Sequence, residues 1–273
     1  MPEEPELDLI ANRIKGAQDE AQHIEPITSG TEGFALSDAY DVAHRIHRAR
    51  CAAGAVPVGR KIGFTNSNIW PKYGVHAPIW GYLYDTTVMH AHDGRVACSL
   101  GSFTEPKIEP EIVVHFASTP PVDTDLHAIL SCVDWVAHAF EIVQCHYPGW
   151  KFQAADTVAD SALHGALLLG NALAVETLGD DPLGALESCS VTLSRDGEIL
   201  ESGKGSNVLG GPIAAVAHLI ATLAEQSQYP PLQAGEIVTT GTLTSAYPVE
   251  PGENWTTKFE GIALAGLSAE LEA

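Results

Sequence analysis

Two glutamates stand two residues apart in an apolar segment, Lys107-Ile108-Glu109-Pro110-Glu111-Ile112-Val113-Val114. In an extended chain, side chains alternate between faces. Glu109 and Glu111 then point one way, and Ile108, Ile112 and Val114 the other. Their backbones would lie roughly 7 Å apart, so the two carboxylates can converge on one hard cation. Spacing alone also fits a solvated strand face, because acid-x-acid pairs recur by chance in a chain with 35 acidic residues. A third carboxylate, Glu141, again sits in an apolar run, Ala139-Phe140-Glu141-Ile142-Val143. Unpaired carboxylates are costly in such surroundings. Three carboxylates and several waters are the oxygen-rich shell expected for Mg2+ or Mn2+. Two cations also stand out. Lys61 lies in Gly59-Arg60-Lys61-Ile62-Gly63, and Lys151 is the one cation between Lys107 and Arg195. Lys151 reads equally as an ordinary surface lysine. G-x-S-x-G, P-loop and H-E-x-x-H signatures are absent from the sequence. The glycines of 203–210 have the wrong spacing for a dinucleotide loop.

The elements that must position these groups follow from periodicity. Leu7, Ile10, Ala11, Ile14 and Ala17 fall at helical spacing, as do Ala39, Val42, Ala43 and Ile46. Residues 1–54 are therefore predicted to form two amphipathic helices. Beyond them, short β-branched and aromatic runs predict strands at 58–64, 80–84, 107–116, 140–144, 190–194, 198–203 and 237–240. Arg195-Asp196-Gly197 predicts a hairpin turn. Helices are predicted over 123–139 and 212–225, the second with Pro212 in its first turn. Strands in irregular order, with helices outside a βαβ rhythm, give an α+β fold. The 66–78 segment, with Trp70, Pro71, Tyr73 and His76, reads as a lid-like loop.

Charge excludes several functions. The 273 residues carry 14 basic and 35 acidic side chains, a net of −21. After residue 107, four cations face 22 acids. Nucleic acid and anionic membrane surfaces need clustered cations, so neither is expected as a partner. The apolar helical run 213–224 is too short to span a bilayer and contains His218. Five scattered cysteines without a CxxC pair, and an acidic N-terminus, suit a reducing, cytoplasmic setting.

The motifs also occur in a familiar order. Gly59–Thr65 reads GRKIGFT, 107–112 reads KIEPEI and 140–143 reads FEIV. Trp150-Lys151, Asp156-Thr157-Val158-Ala159-Asp160, Ser202-Gly203-Lys204-Gly205-Ser206 and the 235–243 run GEIVTTGTL follow. This series resembles the 2-keto-4-pentenoate hydratase and 4-oxalocrotonate decarboxylase branch of the fumarylacetoacetate hydrolase superfamily. The resemblance implies a mixed β-roll core over 96–273 and a small, mainly helical N-terminal and lid region over 1–95. It implies Mg2+ or Mn2+ held by Glu109, Glu111 and Glu141, a small 2-oxo acid substrate, and a homo-oligomer. Lys61 matches the branch's active-site lysine. Lys151, Gly241 and Thr242 match substrate-binding positions. Two polar groups common in hydratases are replaced by Ile79 and Leu163, which makes His76 and His164 candidate acid/bases. The implied activity is a metal-dependent lyase of hydratase type in aromatic-compound catabolism. Decarboxylation or acylpyruvate C–C hydrolysis on the same fold, or a noncatalytic metal-binding subunit of a catabolic partner enzyme, are the alternatives.

Overall fold

The computed structural model describes residues 2–67, 70, 75, 77–122 and 125–273. The chain begins with helices α1 (Glu4–Glu20), α2 (Ile27–Gly30) and α3 (Leu36–Ala52). The expected apolar face of α1 is buried at Leu7, Ile10, Ala11, Ile14 and Ala17. That of α3 is buried at Ala39, Val42 and Ile46. The two helices pack on each other, and α3 also packs on a later short helix, Ala154–Ala159.

Strands follow: β1 (Pro57–Gly63), β2 (Ile79–Tyr84), β3 (Val88–His90), β4 (Arg95–Ser99) and β5 (Lys107–Phe116). After helix α4 (Leu126–Leu130) come β6 (Val133–Val143), helix α5 (Ala154–Ala159), β7 (His164–Leu169) and β8 (Leu173–Ala174). Helix α6 (Pro182–Ser188) leads to the hairpin β9 (Ser190–Arg195) and β10 (Glu198–Lys204), then helix α7 (Pro212–Glu225). The chain closes with β11 (Ile237–Thr242), β12 (Tyr247–Pro248), β13 (Asn254–Glu260) and β14 (Ser268–Glu272).

Nine strands form one mixed sheet in the order β2-β1-β11-β5-β6-β7-β3, with β12 on β5 and β8 on β6. Five form a second sheet, β10-β9-β13-β14-β4. This is the expected α+β architecture. The β9–β10 turn has positive φ at Asp196 (52°) and Gly197 (85°), as a two-residue hairpin with the right twist requires. Helix α7 buries Ile213, Val216, Leu219, Ile220 and Leu223 in the main core.

The clearest departure from expectation is a helix. The helix predicted over 123–139 is helical only at Leu126–Leu130, and residues 123–124 lie outside the described set. From Val133 the chain is strand β6. It is hydrogen-bonded to β5 on one edge and β7 on the other, and residues 136–143 are all buried. A strand covered on both faces is apolar at most positions, so its pattern imitates a helical stripe. Strands β3, β4, β7, β8, β12, β13 and β14 also lie beyond the predicted set.

Candidate metal centre and substrate cavity

The centre starts from the β5–β6 register. Glu109 pairs with Glu141 and Glu111 with Ala139, so two carboxylates on β5 meet one on β6. One ligand oxygen from each of Glu109, Glu111 and Glu141 lies within 4.8 Å of the others. Glu111 and Glu141 are buried, at 1% and 0% exposure, which decides against a solvated strand face. Glu111 Oε1 and Glu141 Oε2 have no hydrogen-bond partner despite being buried. Orphaned carboxylate oxygens cost free energy unless something fills the space between them.

Other strands bring the rest. Lys61 lies on β1, three strands from β6 and about 14 Å away if the sheet were flat. The curl of the sheet and the reach of both side chains close this gap, and Lys61 Nζ donates to Glu141 Oε1 at 3.1 Å. His164, at the start of β7, places Nδ1 2.8 Å from the same oxygen. Between Thr239 and Thr242, β11 carries one residue more than β5 does between Val113 and Glu111. This bulge turns the Gly241 N–H onto Glu111 Oε2 at 2.9 Å. Gly241 has φ +99°, and a Cβ there would lie 1.7 Å from Thr65 Oγ1, so only glycine fits.

Burial and mutual repulsion set the charges. Burial raises the Glu109 carboxyl to about 7; Lys61 opposes this and Glu141 adds to it. Burial, then Glu141 and Glu109, push Glu111 well above the usual carboxylate range. For Glu141 burial also pushes upward, but Lys61 and His164 outweigh it and hold the group low. Lys61 would be lowered by burial, yet the three carboxylates hold its ammonium above its ordinary value. Fully ionised, three carboxylates against one ammonium leave two negative charges uncompensated. A divalent cation matches that deficit and the all-oxygen donor set. The residues present therefore fit Mg2+ or Mn2+.

Beside the trio lies a cavity of about 210 Å3, with Lys61, Glu109, Gly241 and Thr242 in its wall. The remainder is largely apolar, including Phe64, Ile79, Trp150, Phe152 and Leu163. Four of these wall residues have left-handed backbone: Phe64 (57°), Trp150 (58°), Ala162 (55°) and Leu163 (63°). Each costs on the order of 1–3 kcal/mol, and such strain concentrates where a fold shapes a site. A second cavity, of about 360 Å3, lies on the other side of His164 and includes Gln18, Arg50, Thr87, Gln144 and Ser161.

The fold thus gathers Glu109, Glu111, Glu141, Lys61, Gly241 and Thr242. The Thr242 hydroxyl is engaged with its own loop, donating to the Thr244 carbonyl at 2.9 Å. His164 stands behind Glu141, facing the second cavity. Lys151 is exposed, between the wall residues Trp150 and Phe152. His76 lies outside the described residues. Two contributors escaped sequence reasoning. Thr65, whose buried Oγ1 has no partner, closes the quoted GRKIGFT motif and was within reach of that signal. Thr87, whose Oγ1 lies 2.9 Å from His164 Nε2, has none, because the contact joins segments 77 residues apart.

Comparison with known proteins accords with this geometry. Residues 64–266 match the family described as Fumarylacetoacetate (FAA) hydrolase C-terminal. A 4-oxalocrotonate decarboxylase from Pseudomonas putida is 33% identical over 256 residues, covering 93% of this chain and 92% of that protein. A 2-hydroxyhexa-2,4-dienoate hydratase from Comamonas testosteroni is 30% identical over 266 residues, 96% of each. The structure of 4-oxalocrotonate decarboxylase from Pseudomonas putida G7, complexed with magnesium and adipate, superposes with a TM-score of 0.90. It is 30% identical and covers 99% of both chains.

Proposed function

This chain belongs to the fumarylacetoacetate hydrolase family, and from that premise we propose that it is a divalent-metal-dependent lyase of hydratase type. Its substrate is a small 2-oxo or 2-hydroxydienoic acid of aromatic-compound catabolism. One observation carries the reading. The Glu109–Glu141 pair and Glu111 converge beside a largely apolar cavity into which Lys61 opens. Hydratases and decarboxylases among the relatives support the lyase class. Glu109, Glu111 and Glu141 would hold Mg2+ or Mn2+, which would supply the Lewis acidity that a 2-oxo acid needs to stabilise developing enolate charge.

The chain's own groups do the rest. Lys61 keeps its proton, so it acts as a cation: it binds a substrate carboxylate or oxygen and can deliver a proton to it. Gly241 fixes Glu111 and lets the Thr65 loop approach the site. Thr242 braces the following turn at the cavity wall. Lys151, exposed and flanked in sequence by the wall residues Trp150 and Phe152, is assigned as a carboxylate ligand, and His76 as an acid/base. Ile79, Phe152 and Leu163 give the cavity an apolar wall for the substrate's carbon chain.

The test is product identity. With Mg2+ and 2-hydroxypenta-2,4-dienoate, NMR should show the 4-hydroxy-2-oxo acid, and chelation should stop its formation. Full turnover under chelation, or no turnover of 2-oxo acids at all, would sink the assignment. The latter, with tight binding to a decarboxylase, would instead mark a noncatalytic partner subunit.

Loss of CO2 from a 2-oxo diacid is the second reading, and the cavity wall favours it. Among its described residues only Lys61 and Glu109 titrate, while Ile79 and Leu163 are apolar. Hydration needs a base beside water; decarboxylation needs only an electron sink and a later proton. A 2-oxo-hexenedioate in the same NMR assay separates the two. We also infer a cytoplasmic homo-oligomer, which light scattering of the purified protein checks.

A further inference from the structure

We propose that His164 is a positioning residue that holds Glu141 from behind, so that Lys61 can leave Glu141 for the substrate without loosening the metal site. The inference rests on the metal-lyase reading above but concerns a residue that reading leaves without a task.

Glu141 Oε1 is held twice. Lys61 Nζ, which lines the front cavity, lies 3.1 Å away, and His164 Nδ1, which lines the second cavity, lies 2.8 Å away. Oε2 of the same carboxylate is buried and has no partner. One oxygen is therefore saturated and the other left bare within the carboxylate cluster. An ammonium that must engage a substrate cannot also be the sole support of a metal ligand. The imidazole has no such second duty: it lines the rear cavity and is absent from the wall of the front one.

The ring is itself held. A carboxylate partner at Glu141 Oε1 requires a proton on Nδ1. Thr87 Oγ1 lies 2.9 Å from Nε2 and 3.2 Å from the Tyr84 carbonyl, so its one proton serves one of these two acceptors at a time. The Thr87 hydroxyl can in turn accept from the Tyr84 N–H at 3.4 Å, and the Thr87 carbonyl accepts from the Leu167 N–H at 2.8 Å. The line Thr87–His164–Glu141 thus ties a metal ligand to the backbone of two neighbouring segments. Groups that orient a ligand in this way change metal affinity by about 10–100-fold when removed.

The experiment measures Mn2+ binding to the metal-stripped full-length protein by calorimetry, independently of turnover. His164→Ala should weaken Mn2+ binding about 10–100-fold. His164→Asn, whose amide N–H falls where Nδ1 stood, should restore it to within about threefold. With substrate present, kcat of the alanine variant at saturating Mn2+ should fall more than KM rises. Native affinity in His164→Ala, or equal loss in the Asn variant, would overturn the proposal. If alanine at 164 yields no folded protein, Thr87→Val decides. It leaves the imidazole in place, and should cost several-fold in Mn2+ affinity that Thr87→Ser recovers; unchanged affinity refutes the role. Because the readout is metal binding, it can fail while the lyase assignment stands. Conversely, a protein that binds Mn2+ as expected but turns over no 2-oxo acid would defeat only the assignment.

Discussion

The two sides of Glu141 are built differently. In front, Lys61 opens onto a mostly apolar cavity of about 210 Å3. Behind, His164 backs onto a cavity of about 360 Å3 lined by Gln18, Arg50, Thr87 and Gln144, many of them tied to one another or to backbone. A charge in the front cavity is strengthened by the dry wall around it. A polar group at the rear is spent on holding its neighbour. The contrast teaches that one carboxylate can serve two compartments if its two oxygens are divided between support and chemistry.

The largest expected effect comes from the carboxylate cluster itself. Glu109→Gln should abolish Mn2+ binding measured by calorimetry and lower kcat/KM by at least about 10^3-fold, the loss of several kcal/mol of charge stabilisation. Next, Lys61→Met should reduce kcat/KM by about 10^2–10^4-fold while Mn2+ affinity stays within a few-fold of native, because His164 still holds Glu141. Equal loss of metal in the Lys61→Met and His164→Ala proteins would erase the front–rear distinction.

A smaller effect is linked to pH. Glu109 titrates near 7 in the metal-free protein and Glu111 well above the carboxylate range. Their protonation stabilises the metal-free fold fully below the ordinary carboxylate range, and that contribution is lost as pH rises through about 7. Metal must displace those protons, so Mg2+ affinity rises with pH. The Tm gain on adding Mg2+ should therefore grow from pH 6 to pH 8 in a thermal melt; a gain that shrinks contradicts it. The smallest effect concerns the turn dividing the two cavities. Ser161, Ala162 and Leu163 are all left-handed, and a Cβ on Gly81 would sit 2.8 Å from the Ser161 carbonyl oxygen. Gly81→Ala should cost about 1–3 kcal/mol in denaturant unfolding and disturb both cavities through Leu163 and His164.

The front of the site was far more legible in the sequence than the rear. Period-two alternation put Glu109 and Glu111 on one face, and a lone Glu141 in an apolar run was conspicuous. The N-terminal helices and α7 carried plain 3.6-residue stripes. Residues 133–139 were misread because a doubly covered strand has no polar face to reveal its period. The bulge at Gly241 and the link from Thr87 to His164 arise from strand pairing, which no local window encodes. Leu163 and Ile79 announced themselves only as departures from the hydratase pattern.

Strand β11 has a consequence for how the centre comes into being. Its residues 237–239 pair with 59–61 of β1 on one side and with 113–115 of β5 on the other. Until residues near 240 have left the ribosome, the strand that joins β1 to β5 is missing, and Lys61 is not seated against the carboxylates through the sheet. Contacts of such separation carry a large closure entropy and form slowly. A nascent chain would thus hold three acidic groups without their lysine, and a divalent ion available at that stage would act as a template for assembly as well as a reagent in the finished enzyme.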